Sequence, residues 1–128
     1  MGSEAQAKLL EQYFLEHDAQ LQKLKVTTEE YQQAVLALYQ LAMTDCGGAR
    51  CAATVLLSLY DGDSWQVDLA DVCCTLDADY FQHVITAMKG RGMLMKEPHQ
   101  LLEQGEARFK QLADEWRFFG RTCQGLAL

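Results

Sequence analysis

The stretch Ala49–Tyr60, ARCAATVLLSLY, decides how the chain folds. Its polar residues Arg50, Thr54 and Ser58 recur at every fourth position, which on an α-helix draws one narrow stripe. A helix apolar around the rest of its circumference needs neighbours on at least two sides, so it belongs in the middle of a helical bundle. Ala49, Ala52 and Ala53 admit another backbone at one end, and Val55, Leu56, Leu57, Leu59 and Tyr60 fill space at the other. Burying those larger side chains is worth about 1.5–3 kcal/mol each, comparable in total to the roughly 5–15 kcal/mol net stability of a domain.

On the N-terminal side, Leu10, Phe14, His17, Leu21 and Leu24 alternate four and three residues apart, with Leu9 and Tyr13 beside them. This heptad spacing predicts an amphipathic helical arm over residues 1–26, whose seam serves for packing or dimerisation. His17 is read as a tolerated interface residue. Thr27 followed by Glu30 makes a capping box, and opens a helix to about Met43 with Tyr31, Val35, Leu38 and Ala42 inward and Ala34 and Leu41 alongside. Gly47 and Gly48 are expected to supply a left-handed cap at its end. They lack the spacing and the GK[ST] ending of a phosphate loop.

On the C-terminal side, Tyr60–Ser64 is a turn by composition, without the ligand ladder of a calcium loop. Trp65-Gln66-Val67 reads as a short strand. Asp68 caps a short helix, Leu69 to Cys74. Asp77 caps another, Ala78 to Met88, with Ala78, Phe81, Ile85 and Met88 inward and Val84 alongside. After Lys89-Gly90-Arg91-Gly92, the run Met93-Leu94-Met95-Lys96 reads as a second strand, and Pro98 opens a helical turn. A last helix, Glu106 to Phe119, packs Phe109, Leu112, Ala113, Trp116 and Phe119, and residues 120–128 form a flexible tail. The expectation is an all-α domain with minor β over residues 27–119.

This order of elements resembles the winged-helix variant of the helix-turn-helix. VLLSLYDGDSW, VDLADVCCTLDADYFQHVITAMKGRGMLM and LEQGEARFKQLADEW are similar to segments of MarR-like regulators. The resemblance implies a recognition helix at 78–88, a wing near 90–97 and a dimer. The outward residues Asp79, Gln82, His83 and Thr86, with Lys89, Arg91 and Lys96, are then the partner-binding set. GGARCAATVLLSLY through EPHQLLEQGEARF also resembles, over residues 28 to 118, a proteobacterial domain family of unknown function found on plasmids and integrative elements. That resemblance implies a mobile-element setting, in which small acidic proteins of anti-defence type act on host machinery, and no chemistry.

The 128 residues carry a formal charge of −7. Residues 1–48 hold three Lys/Arg against seven Asp/Glu, residues 49–90 two against six, and residues 91–128 six against five. Such a balance disfavours attraction to phosphate backbones and favours basic protein partners. A DNA-binding regulator is the alternative. Gln82 can read adenine, but Lys89, Arg91 and Lys96 offer a salt slope of only about −2.7 per subunit. The longest apolar run, Cys51 to Leu57, is too short for a membrane span, and the N-terminus lacks a signal-peptide pattern, so a cytoplasmic protein is expected.

No catalytic, cofactor or metal signature stands out. Five cysteines without C-x-x-C read as reduced thiols, at least one of the adjacent Cys73 and Cys74 facing the core. A zinc site drawn from Cys46, Cys51, Cys73, Cys74, His83 and His99 is the minor reading. Glu97 and His99, with Glu103, Cys46 or Cys51, could support acid–base or thiol chemistry. His99 reads rather as a buttress of the final helix, and Trp65 and Trp116 as core or interface aromatics. The expectation is a non-enzymatic binding protein, homodimeric through its first helix.

Overall fold

The body of the molecule opens on the Thr27 capping box. Thr27 Oγ1 accepts from the Glu30 N–H at 3.1 Å, and Glu30 Oε1 accepts from the Thr27 N–H at 3.0 Å. Two donors that a helix start leaves without partners are thus satisfied. The computed structural model describes residues 2–120. Among these residues it has six α-helices: α1 Gly2–Lys23, α2 Thr28–Ala42, α3 Ala49–Tyr60, α4 Leu69–Thr75, α5 Ala78–Met93 and α6 Gly105–Glu115, with 3₁₀ turns at Pro98–Leu101 and Arg117–Phe119. The expected tail lies, beyond Gly120, outside the described residues.

Helix α2 buries Tyr31, Ala34, Val35, Leu38, Leu41 and Ala42, the face marked by its four-and-three spacing. Its packing on α3 and α5 is the most extensive between any two elements, so α2 is the shared wall of the bundle. Helix α3 buries Ala49, Cys51, Ala52, Ala53, Val55, Leu56 and Leu57, while Arg50 is exposed and Thr54 and Ser58 are half-buried. Phe109 and Leu112 bring the inner face of α6 into the same core.

Tyr31 fixes where α2 crosses α5. Its side chain is fully buried, its hydroxyl donates to the Lys96 carbonyl at 2.7 Å, and its ring lies so close to Gly90 that any Cβ there would overlap it. Burial pushes the Tyr31 phenol up to about 12, because phenolate would lose its hydration. The next residue of α2, Gln32, donates its Nε2 to the Leu101 carbonyl at 2.9 Å and ties down the turn at Pro98–Leu101.

That crossing corrects the expected wing. Gly90 does not end the helix; it lets α5 lie flush on Tyr31, so α5 runs on to Met93 and takes up the start of the second expected strand. Leu94 closes it, and Met95, with φ 56, turns the chain away. Trp65-Gln66-Val67 then has nothing to pair with, and a lone strand leaves its ladder unsatisfied. Among the described residues there is no strand. Trp65 is instead buried, its ring 3.6 Å from where a Cβ on Gly120 would stand.

Other details also shift. The buried positions of α5 are Val84, Ala87 and Gly90, while Ala78 and Met88 are exposed. The helix is rotated relative to expectation because its glycine, not its methionine, meets α2. Gly48 adopts φ −81, and no described glycine has positive φ. The α2–α3 connection needs no left-handed cap, since the Met43 N–H already reaches the Tyr39 and Gln40 carbonyls and Thr44 Oγ1 donates to Leu41 O at 2.7 Å. Cys73 and Cys74 are both exposed, because the single buried residue of α4 is Val72.

Helix α1 is amphipathic as its spacing implies, yet residues 3–20 are all exposed. Leu10, Phe14 and His17 of the seam are exposed, Phe14 and His17 touching only Tyr13 of their own helix among the aromatic rings described. Leu21 is half-buried, and Leu24 lines a groove with Ile85, Met88, Lys89, Gly92 and Met93 of α5.

Candidate functional site

From Cys51 to Met88 the sequence holds six aspartates, at 61, 63, 68, 71, 77 and 79, and no Lys or Arg. Asp61 and Asp63 lie at the far end of α3 and in the turn after it, while the other four, Asp68, Asp71, Asp77 and Asp79, stand on or just before α4 and the start of α5. Two of them build the helices. Asp68 accepts from the N–H groups of Ala70 at 3.0 Å and Asp71 at 3.3 Å. Asp77 accepts from the Tyr80 N–H at 3.0 Å. Both caps follow from short carboxylates placed just before helical runs, where the partial positive charge of a helix start favours an anion.

Asp71 bridges elements. Its carboxylate accepts from Thr75 Oγ1 at 2.6 Å and lies 3.6 Å from Arg50 Nη2. The Arg50 guanidinium also sits 5.3 Å from the centre of the Phe119 ring. These groups and Thr54, Gln66 and Asp68 line a groove of about 230 Å³ whose nearby cation is already paired. Asp63 and Asp79 stay exposed, and Leu69, the first residue of α4, is 64% exposed. The α4–α5 segment thus combines four aspartates, one of them paired with Arg50, with one exposed leucine.

The seven residues expected to meet a partner do not form one unit. Asp79, Gln82, His83 and Thr86 share a face of α5, within roughly 60° either side of Asp79 at about 100° per residue. Lys89 stands beside that face, nearer Glu30, whose carboxylate it helps to stabilise. Arg91 lies about 120° around the helix, half-buried, with its Nε donating to the Leu59 carbonyl at 3.1 Å. It closes the end of α3 and is not free to reach outward. Lys96 is exposed, on the loop whose carbonyl Tyr31 holds. What the spacing missed is Leu69. Its exposure follows from α4 having room for one inward residue, Val72.

The residues weighed for chemistry are scattered. His99 Nδ1 is buried without a hydrogen-bond partner, 3.5 Å from Glu97 Oε2. Its ring is closed in by Tyr60 at 4.9 Å and Phe109 at 6.2 Å between centroids. The His99 carbonyl lies against Gly105 where a Cβ would overlap it, so this residue shapes the entry to α6. Cys51 is buried, and burial, with Asp71 adding to it, pushes its thiol up to about 11. Cys46 is exposed and differs. The Thr44 hydroxyl, 3.0 Å from its sulfur, and the Gly48 N–H hold that thiol below its ordinary value. Among the described residues no three His, Cys, Asp or Glu side chains converge as metal ligands, and no helix is long and apolar enough to cross a membrane.

Comparison with known families adds one finding. A family of unknown function, DUF7673, matches residues 32–117, from α2 to the turn after α6. No curated protein and no solved structure matches the chain.

Proposed function

We propose, for a chain that belongs to the DUF7673 family of unknown function, a binding role in which the acidic α4–α5 end docks a basic protein partner. The observation that carries this reading is exposed Leu69 on an α4–α5 segment that holds Asp68, Asp71, Asp77 and Asp79, in a 38-residue stretch without a cation. Exposed apolar groups accompanied by one sign of charge supply the two things a protein partner uses: apolar area for affinity, and a field for orientation and rate. A partner presenting Lys or Arg around an apolar pocket is complementary to it. The accessory or inhibitory factor implied by the mobile-element resemblance is a special case, in which that partner is a host protein.

A winged-helix regulator gains less support. The start of a recognition helix enters the major groove first, and here that end carries Asp77 and Asp79. Arg91 is engaged by α3, which leaves Lys89 and Lys96 to meet phosphates. Against so few contacts the whole chain brings a charge of −7.

The test is affinity capture on the immobilised full chain, with Leu69→Lys/Asp79→Lys and Lys96→Glu alongside. The reading expects specific captured proteins to be lost with the first variant and kept with the second. Capture indifferent to the α4–α5 variant, or loss only with Lys96→Glu, overturns it.

A further inference from the structure

Helix α1 presents a seam with nothing on it, and we infer that a second copy of this chain covers it, the two α1 helices running parallel. This inference is independent of the α4–α5 reading. It rests on the size of the bare surface, on what surface adjoins it, and on its charges.

Leu9, Leu10, Tyr13, Phe14 and Leu24 are each 45–66% exposed. Below them the stripe runs into the α5 groove, about 370 Å³, that Leu24 shares with Ile85, Met88 and Met93. Pairing two copies along the seam and over this groove removes on the order of 800 Å² per protomer from water, the size of a standard stable interface. An apolar surface this continuous is unusual on a monomer.

The orientation follows from two features. The groove lies at the Leu24 end of α1, so a parallel pair brings both grooves to the base of the coil and each body covers the other's. An antiparallel pair puts the bodies at opposite ends and leaves both grooves bare. The flanking charges agree. With Leu10, Phe14, His17 and Leu21 as the seam and Leu24 just past the helix end, the parallel register sets Gln6 beside Glu11 and Tyr13 beside Asp18 of the second copy, with no like pair. A fully overlapped antiparallel pair sets Glu11 beside Asp18 twice. In the parallel pair the two His17 rings meet across the seam, each stacked on its own Tyr13 at 6.1 Å. A polar layer of this kind fixes register at a cost in affinity.

Sedimentation equilibrium of the full chain tests the pairing. It should give twice 14.4 kDa for the wild type at micromolar concentration. Phe14→Asp/Leu21→Asp should weaken the dimer at least about a hundredfold, while thermal unfolding of the body is retained, and His17→Leu should tighten it about tenfold or more. That gain cannot come from misfolding. With Cys46, Cys73, Cys74 and Cys123 changed to Ser, Leu10→Cys should form a reducible dimer under mild oxidation that the same background with Leu10 does not; antiparallel pairing would hold those positions about 16 Å apart. A wild type that stays monomeric at tens of micromolar, or a dimer indifferent to the aspartates or to His17→Leu, overturns the inference. A dimer of the Leu10→Cys variant that does not crosslink overturns the parallel arrangement. Variants at Leu69 and Asp79 leave this dimer intact, so failure here is separable from failure of the α4–α5 reading.

Discussion

Replacing Gly90 by alanine is a small change with a predictable sign. In an exposed helix interior alanine gains about 1 kcal/mol over glycine. At this position the new methyl meets the ring of Tyr31, which is fully buried and held at its far end by the 2.7 Å bond to Lys96 O. The ring cannot swing aside without breaking that bond, so α5 must lift from α2. Overpacking of this kind costs about 1–3 kcal/mol, and more where backbone must move. The net loss is then about 1–2 kcal/mol, which for 128 residues is a fall in melting temperature of about 3–10 °C. Thermal and urea unfolding followed by circular dichroism reads it. In a Tyr31→Leu background the obstructing ring is gone, and the same substitution should cost nothing or stabilise, giving a double-mutant coupling of about 1 kcal/mol or more. Equal or higher stability of Gly90→Ala in the wild-type background would refute the close crossing, and with it the reason that α5 reaches Met93.

Further outcomes follow from the same contacts. Asp77→Ala removes the cap from α5 and should cost about 0.5–2 kcal/mol in urea unfolding, whereas Asp77→Asn should restore most of it. The Glu30 carboxyl is lowered by its bonds to the Thr27 N–H and hydroxyl, so its contribution is present above the ordinary value of 4.5 and lost as pH falls through the lowered one; the stability gap between wild type and Glu30→Gln should close over that acid range. Tyr31 is raised to about 12, so its contribution holds below pH 10 and fades between there and about 12, a window that absorbance-monitored titration with parallel unfolding can follow. Alkylation near pH 8 with peptide mass spectrometry should find Cys46 modified well before Cys51.

Much of this architecture was legible because its signals are local. The Thr27 box, the Asp68 and Asp77 caps and the buried face of α2 each depend on residues within one or two turns, and each stands where spacing puts it. The wing failed for a non-local reason. Gly90 reads as a break unless Tyr31, 59 positions earlier, is known to need the space of its missing side chain. Once α5 ran through Gly90, both strands were lost together, and the inward face of α5 turned from Met88 to Ala87. The face holding Asp79, Gln82, His83 and Thr86 could be read from helical periodicity. Arg91 could not, because its acceptor at Leu59 belongs to another helix. Exposed Leu69 was hidden for a similar reason: only the depth to which α4 sinks separates it from Val72.

The proposed preference of the α4–α5 end for a cationic protein surface over nucleic acid can be read in one experiment. Fluorescence anisotropy can pose the two ligands against each other, a Lys/Arg-rich amphipathic peptide and a duplex DNA, each titrated with the full chain across a salt series. The expected result is peptide binding that weakens severalfold in Leu69→Ala/Asp79→Asn but not in Glu103→Gln/Glu106→Gln, with no duplex binding at about 100 mM salt. Duplex binding with a log–log salt slope near −3.6 for a dimer, abolished by removing Lys89 and Lys96, would refute it.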